Sequence, residues 1–297
     1  MQTSDKKTIK RIGEIISLFA IMLVIILAGS CILDPLRTGS VSGTSELDRY
    51  ILEGLLQPEN SIDVVIVGDS DAHFTFDMEL LNGAGINSYM FTRGGLTPVE
   101  AFFTMKKVYE KQEPSLVIIE TSMMVEDQPE TSSVRTGILQ VFNAYVYEYM
   151  PVFRYHLLWE NMLEQKADEP VENYKGFSKR TGVAPYTGGE YMFPTGERSR
   201  VNFIRYHYMD KILKLCGENG SEVILVSAPA PAMFDSKKHN TVSYYAGEKG
   251  VEYIDFNTLQ EELSIDWSAD TLDNGYHLNL SGADKVTGYL VNYLASR

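Results

Sequence analysis

IDVVIVGDSD, residues 62–71, is the stretch on which the fold turns. Ile62–Val67 is a short, largely β-branched apolar run, the pattern of a strand buried in a sheet. Gly68-Asp69-Ser70-Asp71 follows without a break, and Ser and Asp favour the N-cap of a helix. A strand ending in Gly-Asp-Ser puts a serine hydroxyl at the carboxyl edge of a sheet, where open α/β folds bind ligands. A helix beginning there also supplies backbone N–H groups that can hold an oxyanion.

Similar strand patterns recur outward from this point, at Asn87–Phe91, Leu116–Ile119, Glu222–Ser227 and Val251–Phe256. Helical stretches separate them: 98–111, opened by Pro98 and stopped by Pro114, then 242–249, with 282–295 closing the chain. Strands alternating with helices predict an α/β domain, a mainly parallel five-stranded sheet with helices on both faces, flavodoxin-like. The long interval between the third and fourth strands reads as an insertion at about 125–200. It is aromatic-rich and helical over 136–165 and turn-rich over 177–197, and helix returns over 202–216.

At the other end, Lys6, Lys7, Lys10 and Arg11 precede Ile15–Leu33, a run without charge. Such a helix spans roughly the hydrocarbon core, and the basic flank keeps its start in the cytoplasm. The expected organisation is a cytoplasmic tail 1–11, a transmembrane anchor 12–33, a polar stalk 34–60 with one short helix at 46–56, and a domain 61–297. The chain would be single-pass in the cell membrane with its domain extracellular. A cleaved signal peptide and a lipoprotein signal at Ala28-Gly29-Ser30-Cys31 remain open, and both also place the domain outside.

With 44% hydrophobic residues among 297, the chain can bury a sizeable core. Its net charge of −14 argues against nucleic acid and against lying flat on anionic lipid. Cys31 falls in the apolar run and Cys216 in a helical stretch, so no disulfide is expected. The histidines show no metal-ligand spacing, and there is no Walker loop or GxGxxG, so neither a metal nor a cofactor is predicted.

Asp273-Asn274-Gly275-Tyr276-His277-Leu278-Asn279 stands just before the last helix. A serine nucleophile needs a base, and the base needs a carboxylate that fixes its tautomer. His277 and Asp273 can supply both. Asp270 is the rival acid, and the backbone freedom of Gly275 favours Asp273.

Taken together, these segments resemble the SGNH/GDSL hydrolase family from about Ile62 to the C-terminus. Gly68-Asp69-Ser70 resembles its first block, and the Asp…His pair resembles its fifth. Arg93-Gly94-Gly95, after the second strand, sits where the second block supplies an oxyanion-hole glycine. The resemblance implies Ser70 as nucleophile, His277 as base, Asp273 as its partner, and the N–H groups of Ser70 and Gly94 or Gly95 as oxyanion hole. The chain departs from the pattern at Glu120-Thr121-Ser122, where the third block has Asn, and in a four-residue Asp-to-His offset where three is usual. A closer resemblance is to a Firmicutes envelope branch related to D-alanyl-lipoteichoic acid transfer and alginate O-acetylation proteins. It is carried by Tyr155-His156-Leu157-Leu158-Trp159, Lys238-His239-Asn240, Ile265-Asp266-Trp267, and His277-Leu278-Asn279 with Ser281-Gly282-Ala283.

That resemblance implies an extracytoplasmic serine esterase or O-acyltransferase acting on envelope glycan or teichoic acid esters, often beside a multi-spanning membrane O-acyltransferase. The alternative is a catalytically degenerate domain that binds envelope polymer or docks on such a partner. The acyl group and the acceptor are not written in the sequence. Further cleft candidates are Asp69, Asp71, His73, His156, Trp159 and His239. Each has an ordinary reading beside the functional one: a solvent-facing His73, an aromatic contact between His156 and Trp159, and a helix-start His239.

Overall fold

The computed structural model describes residues 2–42, 44–125, 133–155 and 174–297. Five strands form one parallel sheet: β1 (Val64–Gly68), β2 (Ser88–Thr92), β3 (Leu116–Glu120), β4 (Glu222–Ser227) and β5 (Glu252–Asp255). Their order is β2-β1-β3-β4-β5. Ile66 pairs with Met90 on one side and Ile118 on the other, and Ile119 with Leu225. A parallel sheet is covered on both faces, which is why β1, β2 and β3 are buried at every residue.

The helices, in chain order, are α1 (Gln2–Ile32), α2 (Pro35–Thr38), α3 (Glu46–Leu55), α4 (Ser70–Thr75), α5 (Met78–Gly83), α6 (Pro98–Tyr109) and α7 (Ser122–Val125). They continue with α8 (Ser133–Tyr149), α9 (Pro151–Arg154), α10 (Phe203–Glu218), α11 (Ser236–Lys249), α12 (Gln260–Leu263) and α13 (Leu280–Ala295). On one face, Ala72, Phe76, Leu81, Ala283, Val286 and Leu290 pack on Ile66, Ile118, Ile224 and Val226. Alternate strand residues point the other way. There α3 lies on β2, α10 on β4 and α11 on β5, with α6 packed along α10. Each fully buried aliphatic side chain contributes about 1.5–3 kcal/mol.

The stretch 34–60, read as a stalk, becomes part of this core from Glu46 onward. Tyr50, Ile51, Leu52 and Leu55 of α3 are buried, and Tyr89 donates to the Tyr50 carbonyl at 3.2 Å. Gly54 is needed there, because a Cβ would lie 2.5 Å from the Tyr89 and Phe91 rings.

The chain divides into two compact units, one of residues 46–142 and 170–297, holding the sheet, and one of 1–45 and 143–169. In the latter, Lys7–Ile32 is long and apolar enough to cross a membrane, a property that anchors and signal sequences share. Its far end is not bare. α9 packs against α1, and the Val152 N–H donates to Ser30 Oγ at 3.4 Å.

The helix expected over 136–165 appears as α8 and α9; its remainder, including His156 and Trp159, lies outside the described residues. The turn-rich 177–197 contains no helix or strand and runs as a strap over the loop before α13. Ala184 N–H donates to Thr271 O at 3.1 Å, Asn274 N–H to Ala184 O at 2.8 Å, and Tyr186 N–H to Trp267 O at 3.0 Å.

Candidate active site

β1 ends at Gly68 because nothing larger fits. A Cβ there would sit 2.7 Å from Glu120 Cβ and 2.8 Å from Ala72 Cβ. Asp69 caps α4, accepting from the Asp71 N–H at 3.0 Å. Ser70 is the first residue of α4, so its N–H has no acceptor within the helix. Strand order 2-1-3-4-5 reverses between β1 and β3, the crevice where this topology binds ligands. Ser70 follows β1 and Ser122 follows β3, one on each side of it.

The candidate base, His277, comes from the loop before α13. Asn274 and Gly275 both have positive φ, 61° and 91°, which turns the chain back on itself. At Gly275 a Cβ would also lie 2.7 Å from the Tyr186 ring of the strap. The tight turn lets a four-residue offset close. Asp273 accepts from the His277 N–H through Oδ1 at 2.7 Å and from Nδ1 through Oδ2 at 2.6 Å. His277 Nε2 then faces Ser70 Oγ at 3.0 Å, free to accept its proton. The Phe74 ring, 4.8 Å from the imidazole between centroids, holds its other side. Asp270 is turned elsewhere: it is buried and accepts from Asp266 N–H at 2.7 Å, Ser281 Oγ at 2.7 Å and Lys285 Nζ at 2.5 Å.

Ser70 and His277 open into a cavity of about 170 Å³, which Gly95 also lines. Gly95 has φ +68° with open space where a Cβ would be, so its backbone conformation is the reason for glycine. Gly94, its exposed neighbour, does not line the cavity. The far wall is apolar, made of Val125, Met233, Phe234 and Tyr276.

The near wall is acidic. Ser122 Oγ lies 2.5 Å from Asp69 Oδ1 and is hydrogen-bonded to Glu120 Oε2 as well. One hydroxyl carries one proton, so two such contacts to carboxyl groups require a second proton, held on a carboxyl. Burial, and then the nearby Asp69, pushes Glu120 up to about 8. Burial first, then Asp69 and Glu120, raises Asp71 well above the ordinary carboxylate range, with Lys238 opposing. Asp71 Oδ1 is 3.8 Å from His277 Nε2. With Glu120 at about 8, this wall keeps a proton at neutral pH and can donate a hydrogen bond as well as accept them. Asp69, Asp71 and Glu120 are also the described residues whose oxygens converge, within 4.8 Å, closely enough for a hard divalent cation. Ser122 and the shared proton already satisfy two of the three.

The remaining sequence candidates go elsewhere. His73 is neither in the cavity nor in solvent. It is buried, with Nδ1 2.8 Å from Gly176 O and 3.2 Å from Thr92 Oγ1, and burial lowers its pKa to about 4. His239 lies in the first turn of α11, lining a separate groove, and pairs through Nδ1 with Asp255 at 2.6 Å, which raises its pKa. Glu120, Ser122 and Lys238 were not picked as site residues in the sequence. Ser122 and Lys238 line the cavity, and Glu120 stands directly behind Ser122. The missing third-block Asn was the signal that marked the first two.

No protein-family model matches the chain, and no curated protein matches it. Among solved structures it is similar to a GDSL-like lipase from Bacteroides thetaiotaomicron VPI-5482, at 11% identity and TM-score 0.43, covering 84% of this chain and 98% of that one. An acylhydrolase candidate from Bacteroides fragilis NCTC 9343 aligns at 13% identity and TM-score 0.43, covering 84% and 96%. A candidate lipolytic protein of the G-D-S-L family from Desulfitobacterium hafniense DCB-2 aligns at 12% and 0.39, covering 77% and 98%. The likeness is to GDSL-type proteins. It is too distant to argue activity, which has to come from the atoms of the site.

Proposed function

We propose that this chain is a serine esterase or O-acyltransferase acting on acyl esters of envelope glycan or teichoic acid, held at the outer face of the cell membrane by α1. The observation that carries it is the Ser70–His277–Asp273 array opening into a cavity at the carboxyl edge of the sheet. His277 Nε2 takes the Ser70 proton as Oγ attacks the ester carbonyl, and Asp273 holds the imidazole in the tautomer that can do so. The N–H groups of Ser70 and Gly95 face the developing oxyanion. The apolar wall receives the acyl group. His277 returns its proton to the leaving alcohol, and the acyl group passes from Ser70 to water or to a second hydroxyl. A membrane anchor favours transfer, because it concentrates the site near lipid-linked donors and wall polymers.

Glu120-Thr121-Ser122, standing where the third block has Asn, favours a second reading, a domain that binds envelope polymer without turning it over. Full-length protein with a chromogenic acyl ester, alone and with a glycan acceptor, separates the two. Ester cleavage lost in Ser70→Ala supports the enzyme, and acyl groups on the acceptor make it a transferase. Equal turnover by Ser70→Ala and the parent chain, or none by either, removes the enzyme reading.

A further inference from the structure

α8 is built inside out for a helix in water. Its buried positions among the described residues are small, Gly137 and Ala144; Val141, Val146 and Tyr147 are half-buried, and its other large apolar and aromatic side chains are exposed. Ile138, Phe142, Tyr145 and Tyr149 are exposed, as is Phe153 of α9. On α8 the spacings of four, three and four draw one stripe, and Phe153 lies beyond the break at Met150, on α9. Thr136–Tyr147 carries no charge. Soluble proteins rarely leave so continuous an apolar strip facing water.

The occupant of the strip follows from what α9 touches. Val152 is hydrogen-bonded to Ser30 and stands against Gly29. Ser30 is three residues from the end of the uncharged run at Leu33, about 4.5 Å of helix rise. If α1 spans the bilayer, α9 is held at the depth where the span leaves it. Tyrosines at such a level place their rings in apolar surroundings and their hydroxyls among headgroups.

We propose that Tyr145, Tyr149 and Phe153, the outward stripe of α8 and α9 within the unit that also holds α1, lie in the outer headgroup–acyl boundary, a second, interfacial membrane contact beside α1. The occupant is lipid, and the interaction is apolar. The flanking charges Arg135, Glu148 and Arg154 nearly cancel, and the chain as a whole, at −14, is repelled by anionic headgroups. The contact therefore does not need anionic lipid. This rests on α1 being a retained anchor, and the packing of α9 on its far end is what a cleaved signal would leave exposed.

The test uses the full-length chain in phosphatidylcholine vesicles, with tryptophan introduced as Tyr149→Trp or Phe153→Trp and the parent emission subtracted. Lipids brominated near the top of the acyl chain should quench both added tryptophans and spare Tyr244→Trp, an exposed position on α11. Absence of quenching in both Tyr149→Trp and Phe153→Trp, in a chain that still resists alkaline extraction, would overturn the interfacial contact and leave the anchor standing. A chain released by alkaline extraction would overturn the anchor, and the contact with it. Cross-links from these positions to another membrane protein in native membranes, with no quenching in lipid, would assign the face to a protein and overturn the proposal.

Discussion

Two aspartates precede His277, and the structure gives them different work. Asp273 holds the imidazole, while Asp270 ties Ser281, Lys285 and the Asp266 N–H together. Asp273→Asn should lower turnover on the order of 10⁴-fold, by stabilising the wrong tautomer, with the melting temperature unchanged. Asp270→Ala should keep its turnover per folded molecule and lose roughly 2 kcal/mol or more of stability in denaturant, since it strands a partly buried lysine. Glu120 makes a prediction in pH. Its folded value of about 8 lies above its ordinary 4.5, so it contributes stability that is full below 4.5 and lost as pH rises through 8. His73 works in the opposite sense, losing stability as pH falls from 6.5 towards about 4. Between 4.5 and 6.5 the slopes of Glu120 and His73 oppose one another, while Asp71 and His239, whose folded values are also raised, act in the same sense as Glu120. Glu120→Gln, which imitates the neutral acid, should make the fall in melting temperature between pH 6.5 and 8 less steep than in the parent chain.

At the scale of elements, the junction after β1 is where a single methyl group matters. Gly68→Ala would press on Glu120 and Ala72 and should cost about 1–3 kcal/mol in chemical unfolding, with reduced reactivity at Ser70. This junction was legible in the sequence because all of its parts are local: an apolar run, a glycine, then cap residues. So were the strands, whose double burial forces near-continuous apolar runs, and the Asp273–His277 turn, whose Asn-Gly pair announces positive φ. What was not legible depends on neighbours distant in the chain. Glu120 and Ser122 meet Asp69 only because β3 lies beside β1. His73, three residues after Ser70, suggested a shared face, but Gly176 and Tyr50 cover it from elsewhere. α3 read as stalk because its flanks are polar, although its own buried residues form a helical stripe against β2. The strap that braces the loop of Asp273 and His277 has no periodicity to detect, since its hydrogen bonds are made by the backbone.

For the whole molecule, the basic flank and apolar run of α1 set the expected topology. Protease added to intact protoplasts carrying the full chain should digest the sheet domain; full protection would place that domain in the cytoplasm and end the envelope reading. The central claim is narrower and independent of topology: Ser70 is a nucleophile activated by His277. Its most direct test is to treat the full-length protein with a fluorophosphonate probe and locate the adduct by peptide mass spectrometry. The adduct should lie on Ser70, disappear in Ser70→Ala, and form far more slowly in His277→Ala. A folded protein that takes up no label, or that is labelled equally with and without Ser70, would contradict it.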